Sequence, residues 1–158
     1  MNIHSTGAGS KYPFSYHDAD GEFLHGSHTY KLHLPVDVPA GLFWATTAYN
    51  ITDGTMPETD QLLPSTNSYY DIPHNNDGPI DIWFGPRQPA DVAAAAYIKT
   101  IPGRHFLVAL RLYGTEAAFY DQTWRPDDLH ENRLGPHRRN GMPSLSSING
   151  AFLDEIRA

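Results

Sequence analysis

The stretch from His105 to Tyr113 constrains the fold more than any other part of the chain. It has the sequence HFLVALRLY, and its side chains separate into two faces at the two-residue period of a β-strand. The apolar face consists of Phe106, Val108, Leu110 and Leu112. The other face carries Arg111 and Tyr113 among smaller or apolar neighbours. A strand of this kind lies between a core and either solvent, another chain or a pocket, so the chain needs further strands to cover the apolar face.

Several other segments have the character of short strands that end at proline, glycine or turn residues. Alternating apolar residues, or runs of aromatic and β-branched residues, predict strands at 12–17, 27–34, 41–50, 68–72 and 80–84. Both faces of the 41–50 strand carry bulky side chains, which predicts a central rather than an edge position. Glycine at positions 21 and 78 follows aspartate, which predicts turns with positive φ at both glycines.

Helix is a minor component of the predicted fold. The alanine-rich segment 91–97 and residues 116–121 each predict one or two helical turns, and residues 151–157 predict a short terminal helix. No strand alternates with a long helix, so the pattern predicts an all-β, antiparallel jelly-roll-like β-sandwich with minor short helices. The 158 residues suit one domain. We expect a flexible arm at 1–11, the sandwich domain at 12–133 and a C-terminal tail at 134–158.

Composition and charge exclude several classes of function. The net charge is −7 and no basic stripe alternates with aromatic residues, so we expect no nucleic-acid partner. The chain has no cysteine, which rules out disulfides, thiolate metal sites and cysteine nucleophiles. No apolar run approaches the roughly 20 residues of a membrane span, so we expect a soluble protein without a membrane partner. The first residues lack a signal-peptide pattern, which predicts a cytoplasmic protein or an exported protein already processed.

Seven sets of short motifs occur in a characteristic order. They are DADG at 18–21, YKLHLP at 30–35, LFWAT at 42–46 with Tyr49, NDG at 76–78 with DIWFGP at 81–86, TIPG at 100–103, RLYG at 111–114 and WRP at 124–126. The series resembles the DUF1214 family, a domain of unknown function usually found as the C-terminal half of longer proteins whose N-terminal half is the DUF1254 domain. The resemblance implies a jelly-roll-like sandwich and brings no catalytic residues with it. Because the companion half is missing, a site between the halves would be incomplete or replaced by a dimer contact.

Three predicted strands each present a polar pair on their less apolar face. These pairs are Lys31 and His33, Asp81 and Trp83, and Arg111 and Tyr113. If the strands share a sheet, the pairs project onto one surface that suits a small polar or aromatic ligand. The predicted catalytic residues are His33, Asp81, Arg111 and Tyr113. Arg111 would hold an anionic group, His33 would act as a base or ligand, and Asp81 would orient one of them. The alternative is a solvated face with a surface ion pair.

The nine histidines raise the question of a metal site. The densest group is His25, His28 and His33, and imidazoles are common ligands of zinc, copper and iron. We therefore predict these three as candidate ligands of a divalent metal. On one strand, however, His28 and His33 face opposite ways unless a bulge intervenes, and surface histidines in loops are the alternative.

Three functions remain open at the level of the sequence. The first is a small-molecule enzyme that carries out hydrolysis or oxidation with help from a metal. No nucleophile elbow and no glycine-rich phosphate loop is present. The second is a non-catalytic module that binds a carbohydrate or aromatic ligand through Trp44, Tyr69 and Trp83. The third is an assembly domain whose aromatic face seals a homodimer.

Overall fold

The structure, a computed structural model, describes residues 9–133. The strands in that range are β1 (Ser10–Lys11), β2 (Phe14–Ser15), β3 (Tyr30–Leu34), β4 (Ala40–Asn50), β5 (Ser65–Asn67), β6 (Ile80–Gly85), β7 (Tyr97–Lys99), β8 (Phe106–Thr115) and β9 (His130–Glu131). A 3-10 turn spans Ala94–Ala96, and the helix α1 spans Ala117–Tyr120. Within residues 9–133 there is no helix with the length and apolar character needed to cross a membrane.

The strands form two sheets, which we call sheet I and sheet II. Sheet I has the order β1-β8-β4-β5, and β2 also pairs with β8. Sheet II has the order β7-β6-β3-β9. Neighbouring strands are antiparallel except for β6 and β7, which are parallel. The proline-containing connection between β3 and β4 carries the chain from sheet II to sheet I.

The apolar faces of the two sheets meet in one core. Tyr30 and Phe84 from sheet II contact Phe106 from sheet I, with ring centroids 5.8 and 6.3 Å apart. The core also contains the predicted apolar face of β8, because Val108, Leu110 and Leu112 are fully buried. Packing of this kind removes apolar surface from water on both sheets at once, which stabilises the sandwich. The predicted all-β sandwich with minor helix is confirmed.

Other local predictions are also confirmed. β4 lies between β8 and β5, as its two bulky faces predict. Gly21 and Gly78 have φ of 82° and 94°, in the region where a side chain would be strained. The helical turn predicted at 116–121 corresponds to α1.

The strand predicted at 68–72 is wrong. The strand in this region is β5, three residues earlier, and residues 68–70 form a turn. The side-chain oxygen of Asn67 accepts a hydrogen bond from the backbone N–H of Tyr69 at 2.9 Å, and this local bond ends the strand. The alanine-rich segment contributes a single 3-10 turn, and its last predicted residue, Tyr97, begins β7 instead.

The end of the predicted arm belongs to sheet I. Ser10 and Lys11 pair with Tyr113 and Leu112 of β8, and the carbonyl of Gly9 accepts hydrogen bonds from two backbone N–H groups beyond them. These contacts satisfy backbone groups that β8 would otherwise present at an open edge. The remainder of the predicted arm, the tail at 134–158 and its short helix lie outside the described residues.

Candidate functional site

The polar pairs that were predicted on one surface lie on two opposite surfaces. His33 and Asp81 belong to neighbouring strands of sheet II, whereas Arg111 and Tyr113 belong to β8 in sheet I. The condition that all three strands share a sheet is therefore not met. Because each sheet turns its apolar face inward, the polar faces of the two sheets point in opposite directions. Arg111 and Tyr113 do not share a site with the sheet II pair.

Sheet II carries a charged face made of Lys31, His33, Asp81 and Trp83. His33 and Asp81 are directly opposite each other in the antiparallel pair, and the imidazole Nδ1 lies 2.6 Å from the carboxylate Oδ1. The ammonium of Lys31 lies 3.5 Å from the other carboxylate oxygen and 5.9 Å from the ring centroid of Trp83. The structure therefore brings His33, Asp81 and Trp83 together, as cross-strand neighbours on one face do.

The electrostatics of this face depend on Asp81. Burial raises the pKa of the carboxyl, but hydrogen bonds from His33 and Asn75 and the positive charge of Lys31 outweigh burial. The pKa of Asp81 therefore lies below its usual range, and the group is a carboxylate at neutral pH. The Asp81 carboxylate accepts a hydrogen bond from Nδ1–H of His33. This bond fixes the tautomer of the neutral imidazole in which Nε2 is an acceptor.

Sheet I carries an aromatic row made of Tyr12, Tyr113, Phe43 and Tyr69. Phe43 stacks on Tyr113 at 4.7 Å and on Tyr69 at 5.3 Å, while Tyr12 meets Tyr113 edge-on at 5.9 Å. Arg111 lies on the same face, with its guanidinium carbon 5.6 Å from the ring centroid of Tyr49. The two predicted catalytic residues of β8 thus contact aromatic rings rather than His33 or Asp81.

A cavity of about 400 Å³, which we call the end cavity, adjoins the aromatic row. Its wall includes Asp37, Phe43, Trp44, Ser68, Tyr69 and His74. Trp44 and Tyr69, two of the three predicted ligand-binding aromatics, therefore line the same space, and Trp83 lies elsewhere, on the charged face. Trp44 is 6% exposed and belongs to the core, whereas Tyr69 is 78% exposed.

Hydrogen bonds hold the aromatic side of the end cavity in place. Ser68 accepts a bond from the backbone N–H of Trp44 at 3.2 Å and donates its own backbone N–H to the carbonyl of Trp44 at 3.0 Å. These two bonds extend the pairing of β5 with β4 by one residue and present Tyr69 over Phe43. The position of Tyr69 is thus fixed by a strand end rather than by a free loop.

Polar groups line the other side of the end cavity. The Nδ1 atom of His74 lies 2.7 Å from the carbonyl of Gly78, so this nitrogen donates and the neutral ring keeps Nε2 as an acceptor. Asp37 has a φ of 58°, in the left-handed region that costs free energy for a residue with a side chain. Both residues thus place acceptor atoms in the wall of the end cavity, beside the aromatic row.

The three predicted metal ligands are not grouped. His33 is bound to Asp81, while His25 lies near His28 and His105, with ring centroids 5.4 and 5.0 Å apart. His28 contacts Glu131 at 3.1 Å. Within residues 9–133, no set of three or more histidine or acidic side chains has the geometry to hold a metal ion. These candidate ligands do not converge, since His33 points outward from a strand that His25 and His28 precede.

Burial and the positive charges that His105 and His28 would carry lower the pKa of His25. His25, which lies between His28 and His105, is therefore harder to protonate than an ordinary histidine.

Sequence reasoning missed Asp37 and His74 of the end cavity. Both lie in connections, one between two prolines and the other immediately before the Asn-Asn-Asp-Gly turn. The available signal was the turn chemistry itself, because such turns hold binding residues at the ends of sandwich strands.

The fold and the candidate site define a class: an all-β sandwich with a small aromatic cleft at one end. A family model, "Protein of unknown function (DUF1214)", matches residues 9–117. The chain belongs to this family, as its ordered motifs indicated. No curated protein matches the chain.

The chain is similar in fold to proteins of solved structure. The crystal structure of the VPA0106 protein from Vibrio parahaemolyticus has a TM-score of 0.68 and 21% sequence identity to this chain. The match covers 78% of this chain but 31% of that one, so the chain spans less than a third of the longer protein. The similarity supports the sandwich architecture and carries no information on activity.

Proposed function

We propose that the protein is a non-catalytic module that binds a carbohydrate in the end cavity. The observation that carries the proposal is the stacked pair of Phe43 and Tyr69, whose rings are 5.3 Å apart and nearly parallel, beside a cavity of about 400 Å³. An exposed aromatic plane next to a cavity of this size suits a ligand with a flat apolar face.

The polar wall favours a sugar over a purely aromatic compound. His74 Nε2 and the Asp37 carboxylate are acceptors, and the hydroxyl of Ser68 is a donor that also accepts from the backbone of Trp44. A sugar ring offers several hydroxyl donors around an apolar face, which matches acceptors placed beside a ring. These polar groups are exposed in the free protein, so an aromatic hydrocarbon seated there would remove them from water without offering them partners, at a cost in free energy.

The test is an NMR titration of the 15N-labelled chain with N-acetylglucosamine, cellobiose and maltose, and separately with phenol as an aromatic probe. At least one sugar is expected to shift backbone signals of the end cavity. Tyr69→Ala should weaken its binding at least about tenfold, or roughly 1.4 kcal/mol. Tyr70→Ala is the matched control, because Tyr70 is the next residue, is 46% exposed and does not line the cavity.

Two outcomes would reject the proposal. One is the absence of sugar-induced shifts at the cavity while phenol produces them, which would assign the cavity to aromatic ligands. The other is equal weakening by Tyr69→Ala and Tyr70→Ala, which would show that the Tyr69 ring does not contact the sugar.

A further variant, Asp37→Gly, relieves the left-handed strain and should leave stability unchanged or higher while it weakens sugar binding.

A second candidate function rests on the 2.6 Å contact between His33 and Asp81. A carboxylate that orients an imidazole prepares its Nε2 as a general base, which supports hydrolysis of a small polar substrate on the charged face. The pair does not line the end cavity, so this activity would use an open surface.

The test of this activity is the hydrolysis of p-nitrophenyl acetate. His33→Gln should reduce the rate at least about 100-fold if the imidazole acts as a general base. His130→Gln, on the neighbouring strand opposite Lys31, should have no effect. Equal rates in both variants would eliminate the candidate.

A further inference from the structure

A second cavity lies at the β7 edge of sheet II, and we call it the edge cavity. Its volume is about 450 Å³, and its wall includes Asp60, Gln61, Pro86, Arg87, Tyr97 and Lys99. None of these residues lines the end cavity. The two cavities are therefore separate candidate sites.

One wall of the edge cavity is fixed by a side chain that takes the place of a strand. The Gln61 amide donates to the carbonyl of Tyr97 at 2.8 Å and accepts from the backbone N–H of Lys99 at 2.8 Å. A neighbouring strand would make the same two bonds to β7. The loop that carries Gln61 is thus held against the sheet edge, and this edge is closed to strand addition.

The charges of the edge cavity differ from those of the whole chain. Lys99 lies 2.5 Å from Asp60, whose side chain is 77% exposed. Arg87 is exposed, and no carboxylate within residues 9–133 forms an ion pair with it. The named lining residues carry two positive charges and one negative charge, in a chain whose net charge is −7. A guanidinium without an ion-pair partner beside a cavity can donate hydrogen bonds to an anion that binds there.

The rest of the wall carries no further charge and includes the ring of Tyr97 and Pro86. The hydroxyl of Tyr97 donates to the carbonyl of Gly85 at 2.7 Å, which fixes the ring in the wall that also contains Pro86. Burial, together with the charge of Asp60, raises the pKa of Tyr97 to about 12. The phenol is therefore neutral at physiological pH.

We infer that the edge cavity binds a small organic anion, with its carboxylate on Arg87 and Lys99 and its apolar body against Tyr97 and Pro86. Arginine can hold both oxygens of a carboxylate with two parallel hydrogen bonds, and lysine adds a point charge. Asp60 competes with the ligand for Lys99. Binding therefore depends on the charge of the ligand and on the balance between these three side chains.

The experiment is a titration of the full 15N-labelled chain with benzoate at constant low ionic strength, followed by NMR. Benzamide serves as the neutral probe of the same shape, and inorganic phosphate as an anion without an apolar body. Benzoate is expected to shift the backbone signals of residues 86–88 and 97–99, whereas benzamide leaves them in place. Shifts of equal size with benzamide would overturn the role of charge, and shifts with phosphate alone would overturn the organic ligand.

Variants of opposite expected effect make the test sharper. Arg87→Gln should weaken benzoate binding about tenfold, because a charge-assisted pair of hydrogen bonds is lost. Asp60→Asn should tighten it about twofold to threefold, because Lys99 is released from an exposed ion pair.

Arg125→Gln is the matched control, since it removes the same charge from an exposed arginine outside the cavity. Equal weakening by Arg87→Gln and Arg125→Gln would overturn the site in favour of a general charge effect. The spectra without ligand confirm that each variant is folded.

Discussion

The aromatic row of sheet I and the charged face of sheet II follow the same pattern in the sequence, but in the structure they are held by different kinds of contact. Both arise from the less apolar positions of strands whose alternate positions are buried. The aromatic row is held by ring contacts of 4.7 and 5.3 Å, whereas the charged face is held by ionic contacts of 2.6 and 3.5 Å. The first set of contacts does not depend on protonation, and the second does.

This difference explains why the two faces suit different functions. Stacked rings keep their geometry across pH and salt, so they suit a platform beside the end cavity. A carboxylate shared by an imidazole and an ammonium changes its contacts when it gains a proton, so it suits proton transfer or a response to pH. Variants on each face test this contrast.

The largest effect is expected from Phe43→Ala, in the middle of the aromatic row. The half-buried ring stacks on both Tyr113 and Tyr69, so its loss should reduce the free energy of unfolding by about 2 to 3 kcal/mol. Urea denaturation at pH 7 and pH 3 measures the effect, which should be equal at both. Leu42→Ala, at a neighbouring site that is 73% exposed, should change stability by no more than about 0.5 kcal/mol. A loss that differed strongly between the two pH values would contradict the contrast.

A smaller, pH-dependent effect is expected from Asp81→Asn. Because the pKa of Asp81 in the folded protein lies below its unfolded value of about 3.9, its contribution is present above about pH 4 and is lost as pH falls through the folded pKa. Solvent reaches the side chain, so the contribution at pH 7 should be about 1 kcal/mol. The wild type should thus exceed the variant in stability at pH 7 and approach it below pH 3. A difference that stayed constant from pH 7 to pH 2 would show that ionisation of Asp81 does not stabilise the fold.

The sequence predicted the inward and outward faces well because alternation is a local property. The buried positions of β8 follow from residues a few positions apart on that strand. The pairing of His33 with Asp81 depends instead on the register of two strands that are 48 residues apart in sequence. The sequence did not predict which sheet each strand joins, because that depends on the path of the connection between β3 and β4. The predicted site therefore merged two outer faces into one.

The parts of the candidate sites that were missed depend on contacts between distant segments. Gln61 meets β7 across 36 residues of sequence, and no local pattern reports such a contact. β7 itself follows an alanine-rich segment whose helix propensity gave no sign of a parallel strand. The strand predicted at 68–72 lies earlier, as β5, because Asn67 forms a turn that ends it. Asn67 is a common turn residue, so this signal was present in the sequence.

The smallest effect is expected from Arg111→Gln, and it tests the separation of the two faces directly. The change removes a cation from the ring of Tyr49, which should cost about 0.5 kcal/mol. In a double-mutant cycle with Asp81→Asn, the two effects should add, because the residues lie on opposite outer faces and share no contact. A cycle of His33→Gln with Asp81→Asn should instead show a coupling of about 0.5 kcal/mol or more, since the two side chains are hydrogen bonded. Coupling of the same size between Arg111 and Asp81 would contradict the separation of the two faces and favour a single shared surface.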